Sequence, residues 1–460
     1  MSTYLRSTYL RSNSLWSKSL LVAGAAFAAA SLIGCGVAVS PTANPTPSTP
    51  ATLTVRAARG TVTGGQQPVA GVNLQLYQAG TTGYGSTATP LGLPTQTTSN
   101  GNFNLPSYTC TAGSQVYLVG TGGMPYSTVT NANLALMVGL GTCGGTDLNN
   151  FIDVNELTTV ASVWALAPFM TGITNIGTSP TNAAGLANAF AVINELVNTA
   201  NGTLSGPTLP ADATLPMTEI NTLGDILAQC VNSAGGVAGD GSGCGDLFHL
   251  APNAAGNVYP TDTITAAMNI AQNPGRNATG LNQLQLANPV FTPAIDANAQ
   301  VNDWTLAITY IGGGLNAPTS VATDAAGSVW VTNSGNASVT KLDYLGNAIS
   351  TASGFTTGGF NNPSAIAIDT GGNAWIANMG SNTITELNSV GAPASGTPYS
   401  SNGLDSPRSI AIDGSGNVWV ANSAGSNTVS AFTSSGSSLT SSPFSGAGTN
   451  APVSVAITPK

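Results

Sequence analysis

The pattern of apolar and polar positions divides the chain into three kinds of stretch. From residue 53 to about 122, short β-branched runs are separated by turn residues: Leu53-Thr-Val55, Gly60-Thr-Val62, Val72-Asn-Leu-Gln-Leu-Tyr77, Asn102-Phe-Asn-Leu105 and Val116-Tyr-Leu-Val119. Val72, Leu74 and Leu76 fall on one face of an extended chain, which predicts a half-buried strand. Between 130 and 300 the spacing becomes helical. Leu157, Val160, Ala161 and Trp164 recur at helical intervals until Pro168, and Asp153-Val-Asn-Glu156 in front of them has the spacing of a capping box. Ala184 to Thr199, 217–231 and 262–272 continue the pattern and together predict a small bundle. Beyond 300 the period returns to two. Trp304-Thr-Leu-Ala-Ile-Thr-Tyr310 reads as one strand that completes a blade, and further short strands follow.

These last strands recur as a unit. Pro318-Thr-Ser-Val-Ala-Thr-Asp324-Ala-Ala-Gly327-Ser-Val-Trp330-Val-Thr-Asn333 returns from Pro363 to Asn378 and again from Pro407 to Asn422, and a fourth copy starts at Pro452. The prolines are 45, 44 and 45 residues apart, a period that belongs to propeller blades or solenoids. Each copy supplies an inner strand, an Asp-x-x-Gly turn, a strand through the tryptophan and a third strand, with Gly346, Gly391 and Gly436 marking the next turn. The copies resemble NHL repeats, the blades of six-bladed propellers of the streptogramin-lyase and gluconolactonase type. Upstream, Gly60-Thr-Val-Thr-Gly-Gly-Gln-Gln-Pro68-Val-Ala-Gly71 with Ser99-Asn-Gly101-Asn-Phe103 resembles the carboxypeptidase regulatory-like β-sandwich. Asn155 to Ala161 and Cys230 to Ser233 resemble the middle segment of exported acidobacterial NHL-repeat proteins.

The expected architecture is therefore multidomain. A β-sandwich (53–125) precedes a mainly α-helical domain (126–300) and a partial β-propeller (301–460) of three NHL-type repeats plus a fragment. Three repeats cannot close a ring. Either two chains combine as a homodimer that completes the propeller, or the chain is a shortened version of a longer parent.

The N-terminus adds a location. Residues 1–18 carry three positive charges, and an apolar run over 19–34 leads into Leu32-Ile33-Gly34-Cys35. Such a run is short for a membrane span and has the order of a secretory signal. Its end resembles the lipobox of bacterial lipoproteins, which implies a signal peptide over 1–34, acylation of Cys35, and a membrane anchor. The Pro/Thr-rich segment 35–52 is an extended spacer. The expected location is the bacterial cell envelope, at the outer membrane or cell surface.

Composition removes several classes of function. Only 6 % of the 460 residues are charged, and beyond the signal six basic side chains (Arg56, Arg59, Arg276, Lys341, Arg408 and Lys460) face eighteen acidic ones. Nucleic-acid binding needs clustered Lys and Arg, which are absent. Streptogramin lyases use histidines and a glutamate, yet the single histidine is His249, outside the repeats and read as a partly buried structural residue. The repeat region contains one glutamate, Glu386. No metal or cofactor is expected.

Beyond Cys35, Cys110, Cys143, Cys230 and Cys244 form an even set in an oxidising compartment. Of the three pairings, the nearest in sequence, Cys110 with Cys143 and Cys230 with Cys244, are preferred. The second closes a Gly-rich loop and contributes about 3 kcal/mol. Asp240-Gly-Ser-Gly-Cys-Gly-Asp246 lacks the alternating oxygen ligands of a calcium loop and reads as a disulfide-bound turn.

Asp324, Asp369, Asp413, Asn333, Asn378, Asn422 and the three tryptophans occupy equivalent places and read as scaffold. A specific site belongs where the copies differ, at Asn336, Met379, Arg408 and the loops after Gly346, Gly391 and Gly436. The reading is non-catalytic binding or scaffolding of an envelope protein or polysaccharide. The alternative is a secreted propeller hydrolase or lyase.

Overall fold

The computed structural model describes residues 51–126, 128–145, 151–400, 403–446 and 448–457. The expected signal segment, Cys35, the linker through Pro50 and Lys460 lie outside the described residues. No helix among those described is long and apolar enough to cross a membrane.

Antiparallel sheets dominate. The described chain opens with β1 (Thr52–Val55), β2 (Ala58–Gly64), β3 (Gln67–Pro68), β4 (Asn73–Gln78), β5 (Thr89–Gln96), β6 (Asn102–Leu105), β7 (Tyr108–Thr111), β8 (Gln115–Thr121), β9 (Ala135–Thr142) and β10 (Phe151–Val154). One sheet has the order β5-β4-β8-β9, while β2 pairs with β3, with β6 and, in parallel, with β10. Leu74, Leu76, Val116, Leu118, Leu136 and Val138 share a core with Val62, Phe103, Leu105, Ile152 and Val154 from the other sheet. The intervening residues Tyr117, Val119, Ala135 and Met137 face the opposite way, into a second core. Burial on both faces explains the continuous apolar runs of β8 and β9, which alternation alone does not describe.

The helices fill that second core. They are α1 (Glu156–Leu166), α2 (Ala183–Leu196), α3 (Met217–Val231), α4 (Gly243–Leu250), α5 (Thr263–Gln272) and α6 (Ala278–Asn282). They do not stand as a bundle by themselves, because Val160, Phe190, Ile193 and Ile264 pack with Tyr117 and Met137 of the sheet. The stretch expected to be mainly helical thus also contains β9 and β10. Their short apolar runs carry no 3.6-residue period, and their partners lie before residue 125.

β9 is an edge strand whose outward N–H groups meet buried hydroxyls instead of water. Ala135 N–H donates to Thr263 Oγ1 (2.9 Å), Met137 N–H to Thr159 Oγ1 (3.0 Å) and Gly139 N–H to Ser162 Oγ (2.9 Å). An open edge would otherwise carry unpaired donors into an apolar layer. Thr159→Val, which keeps the shape and removes the acceptor, is expected to cost about 2 kcal/mol by leaving one buried N–H unpaired. Urea unfolding measures it, and a loss below a few tenths of a kcal/mol would show that the seal is dispensable.

Two local expectations shift. The cap of α1 is Asn155, not Asp153: its side chain accepts from Thr158 N–H (2.9 Å) while Asn155 N–H donates to Thr158 Oγ1 (2.9 Å). Asp153 belongs to β10 instead, because Gly60 to Val62 offer it a parallel strand. Trp304 to Tyr310 is not one strand. Trp304 is fully buried in the helical core and donates through Nε1 to Ala278 O (3.2 Å), and only Thr309–Tyr310 is extended, pairing with Ala213–Thr214. Packing of a large ring outweighs the two-residue alternation. Tyr310 Oη then donates to Glu195 Oε2 of α2 (2.7 Å).

Each full repeat forms a three-stranded antiparallel sheet: Pro318–Thr323, Val329–Asn333 and Ser338–Leu342, then Pro363–Ile368, Ala374–Asn378 and Thr383–Leu387, then Pro407–Ile412, Val418–Asn422 and Val429–Phe432. Inner strands are clasped by hydroxyls, with Thr319 Oγ1 donating to Pro363 O and Ser364 Oγ to Pro407 O, both at 2.7 Å. Gly391 has φ +85°, and a Cβ there would overlap the Phe355 ring of the preceding repeat. In the fourth copy Val455 N–H donates to Ser409 Oγ (3.1 Å), and residues 452–457 adopt no strand.

Candidate functional site

The most conspicuous polar residues of the repeats are consumed by the fold. Asp413 accepts Ser415 N–H, Asn417 N–H and Trp419 Nε1–H at 2.9, 2.9 and 3.0 Å. Asp324 and Asp369 take the corresponding tryptophan N–H at 3.1 and 3.2 Å. Burial pulls the Asp413 carboxyl upward, but the bonds from Trp419, Asn417 and the backbone outweigh it and hold the group down to about 2. Asn333 Nδ2 donates to Ser338 Oγ and Thr340 Oγ1, and Asn378 and Asn422 repeat the arrangement. Trp330 is buried against Ile366, Ile376 and Leu387 of the second repeat, and Trp375 against Ile410, Val418 and Val420 of the third.

One cation is also absorbed. Lys341 is buried with its Nζ 3.1 Å from Asp324 Oδ2, donating to Ser389 O at 2.7 Å and lying 4.4 Å from the Trp330 ring centre. Glu386 and Ala431 hold the matching register positions opposite Trp375 and Trp419. The ion pair lies within the first repeat and reaches the second through the Lys341 bond to Ser389 O, and neither the second repeat, with Glu386, nor the third, with Ala431, has a counterpart.

The positions where the copies differ are placed by strand direction. Pro318 pairs with Asn333, and Asn333 pairs with Ser338, so the start of each inner strand and the turn after each middle strand share one end of the repeat. Asn336 and Met379 lie in such turns, and Arg408 is the second residue of an inner strand, so all three fall at that end. Asn336 is exposed, but its Nδ2 donates to Gly314 O (3.2 Å). Met379 replaces the serine that in the other repeats clasps a backbone carbonyl, as Ser334 and Ser423 do at 3.0 Å. Arg408 replaces the clasping hydroxyl of Thr319 and Ser364 and is exposed. The turns at Gly346, Gly391 and Gly436 follow the third strands and lie at the opposite end.

His249 is exposed in the last turn of α4, not partly buried, and stacks on Tyr259 at 5.7 Å. Asp240 accepts Val237 N–H (2.8 Å) and Ser242 N–H (2.9 Å) and closes a turn. Cys110 and Cys143 are joined, as are Cys230 and Cys244, with Cα atoms 6.1 and 4.1 Å apart. No group of three or more His, Cys, Asp or Glu among the described residues is placed to hold a metal ion.

A second polar region has no precedent in the motifs. A cleft of about 500 Å³ is walled by the β2–β3 turn, the end of β10, the N-terminal turns of α1 and α3, the Asn201–Leu204 turn and residues 290–292. Asp153 lines it, 8 % exposed, and its Oδ1 has no hydrogen-bond partner among the described residues. Burial pushes the Asp153 carboxyl up to about 6. Behind it Glu156 is fully buried, accepting Gly65 N–H at 2.8 Å. Burial pushes Glu156 up to about 8 against the pull of its backbone bonds, and the charges of Asp225 and Asp153 push it further. Asp225 accepts Val290 N–H (2.7 Å) and Phe291 N–H (3.1 Å), and burial raises it too. The sequence carried a signal for these groups: Glu156 adjoins Leu157, and Asp225 sits between Leu223 and Ile226 on an apolar helix. A carboxylate in such company is buried or paired.

No protein-family model matches the sequence, and no curated protein matches it. Among solved structures, a streptogramin B lyase is 19 % identical over 26 % of this chain and 38 % of that chain, with a TM-score of 0.22. A functionally unknown protein from Desulfotomaculum acetoxidans is 18 % identical over 33 % of this chain and 51 % of that one, at 0.26. A gluconolactonase from Xanthomonas campestris is 15 % identical over 27 % and 62 %, at 0.18. The chain spans about two fifths of the length of the lyase and less than two thirds of the other two.

Proposed function

We propose that this chain is an exported lipoprotein of the bacterial cell envelope, acylated on Cys35, whose NHL-type propeller portion binds or scaffolds a protein or polysaccharide without catalysing a reaction. The observation that carries the reading is the engagement of the repeated Asp, Asn and Trp side chains in turns and between repeats, which leaves the repeats as a frame. Recognition then belongs to Asn336, Met379 and Arg408, gathered at one end. Such end-loop display suits a binding surface built from neighbouring units.

The test has three parts. Fatty-acid labelling of the full chain and of Cys35→Ser is expected to lose the label in the variant. Co-purification from envelope extracts is expected to yield a partner that the double variant Met379→Ser/Arg408→Ser no longer retains. A lactonase and polysaccharide-lyase screen with metal analysis is expected to be silent. Reproducible turnover would replace this reading with that of a secreted propeller hydrolase or lyase.

A further inference from the structure

The cleft beside Asp153 has a chemistry of its own, separate from the repeats. Asp153, Glu156 and Asp225 interact electrostatically through Glu156, and each has one oxygen without a partner among the described residues. None of the described cations, Arg56, Arg59, Arg276, Lys341 and Arg408, lines the cleft. Buried acids without a counter-charge keep their full desolvation cost, so a cation entering here recovers what the protein does not supply.

The neutral lining groups point the same way. Gln66 Nε2 donates to Val290 O (3.3 Å), Asn155 Nδ2 to Gly202 O (3.0 Å) and Asn221 Nδ2 to Pro293 O (2.9 Å). Three of the four lining amides thus spend one N–H each on the backbone, and the fourth, Asn201, accepts through Oδ1 from Thr203 N–H and Oγ1–H. The lining also supplies acceptors: the Asp153 carboxylate, Asn221 Oδ1 and the hydroxyl oxygens of Thr63 and Thr292. An ammonium, with three donors and no acceptor, complements that set. An anion would meet the Asp153 carboxylate, and the cap by Asn155 already takes the Thr158 N–H of α1. A metal ion lacks a cluster of three ligands among the described residues. Leu157, Leu204, Met217, Val290 and Phe291 supply an apolar wall for a carbon chain.

We propose that this cleft binds a primary alkylammonium group, with the nitrogen on Asp153 and Asn221 and the aliphatic stem against Met217 and Phe291. The group belongs either to a free amine or to a lysine side chain of a polypeptide.

Isothermal titration of the full chain at pH 8 tests it with n-butylammonium chloride and with the peptide acetyl-Ala-Lys-Ala-amide, butan-1-ol serving as the neutral isostere. Saturable binding by at least one amine and at least tenfold weaker binding of butanol are expected. Preference for the peptide or for the free amine identifies the source. Asp153→Asn is expected to weaken the preferred amine at least tenfold. Met217→Lys, at a 40 % exposed position, places an ammonium in the cleft and is expected to abolish amine binding and raise the melting temperature. This second variant decides the matter if Asp153→Asn does not fold. No saturable binding by either amine, equal binding of butanol, or undiminished amine binding by either folded variant overturns the proposal.

Discussion

Glu156→Gln is expected to be more stable than the parent protein at pH 8 and closely similar to it at pH 4. The carboxyl is fully buried and pushed up to about 8 from an ordinary 4.5. An acid with a raised folded-state value holds its proton in the folded chain after the unfolded chain has released it. Its contribution to stability is therefore fully present below pH 4.5 and is lost as pH rises through 8. At about 1.4 kcal/mol per pH unit, the loss amounts to several kcal/mol over this window. Glutamine keeps an oxygen for Gly65 N–H and cannot ionise, so it removes this loss. Asp153, raised to about 6, leaves a residual slope at lower pH in both proteins. Urea unfolding from pH 4 to pH 8 measures the difference. A gap between the two proteins that does not widen with pH would show that Glu156 is not the titrating group.

Trp375→Ala is expected to destabilise the repeat region by about 3–5 kcal/mol, the usual cost of emptying a large ring from a core. The ring is fully buried between the second and third repeats, stacks on Tyr399 at 5.8 Å, and donates to Asp369. Trp419→Ala removes the same bond type to Asp413 and the same kind of stack, on Phe444 at 5.5 Å, but from a half-buried position. Its cost is expected to be about 1–2 kcal/mol, in proportion to the smaller apolar area covered. Tryptophan fluorescence during urea unfolding follows both. Equal losses would mean that packing between repeats adds nothing to the local bonds.

The chain was legible wherever the information is local. The repeat period, the Asp-x-x-Gly turns and the helices at 217–231 and 262–272 follow from residues a few positions apart, whose spacing must match a strand or helix. The cap falls at Asn155, two positions beyond Asp153, although Asp153 and Glu156 carry the stronger side-chain signal, because the parallel partner that draws Asp153 into β10 is Arg59–Val62, far upstream in the chain. Trp304 departs from its local pattern for a related reason. Alternation around it describes a strand, but a ring of that size goes where a cavity of its shape exists, here beside Ala278.

The sequence by itself determined the period of the repeats, the even set of cysteines and the scarcity of histidine and of clustered cations. These are properties of composition and near-neighbour spacing. Only the tertiary structure decided that hydroxyls of α1 and α5 seal the edge of β9. Only it decided that Asp153, Glu156 and Asp225 stand together without a counter-charge among the described residues, and that Asn336, Met379 and Arg408 share one end of their repeats. The physical reason is that burial and hydrogen-bond satisfaction are set by groups from distant elements, and a residue's own neighbours in the chain do not carry them.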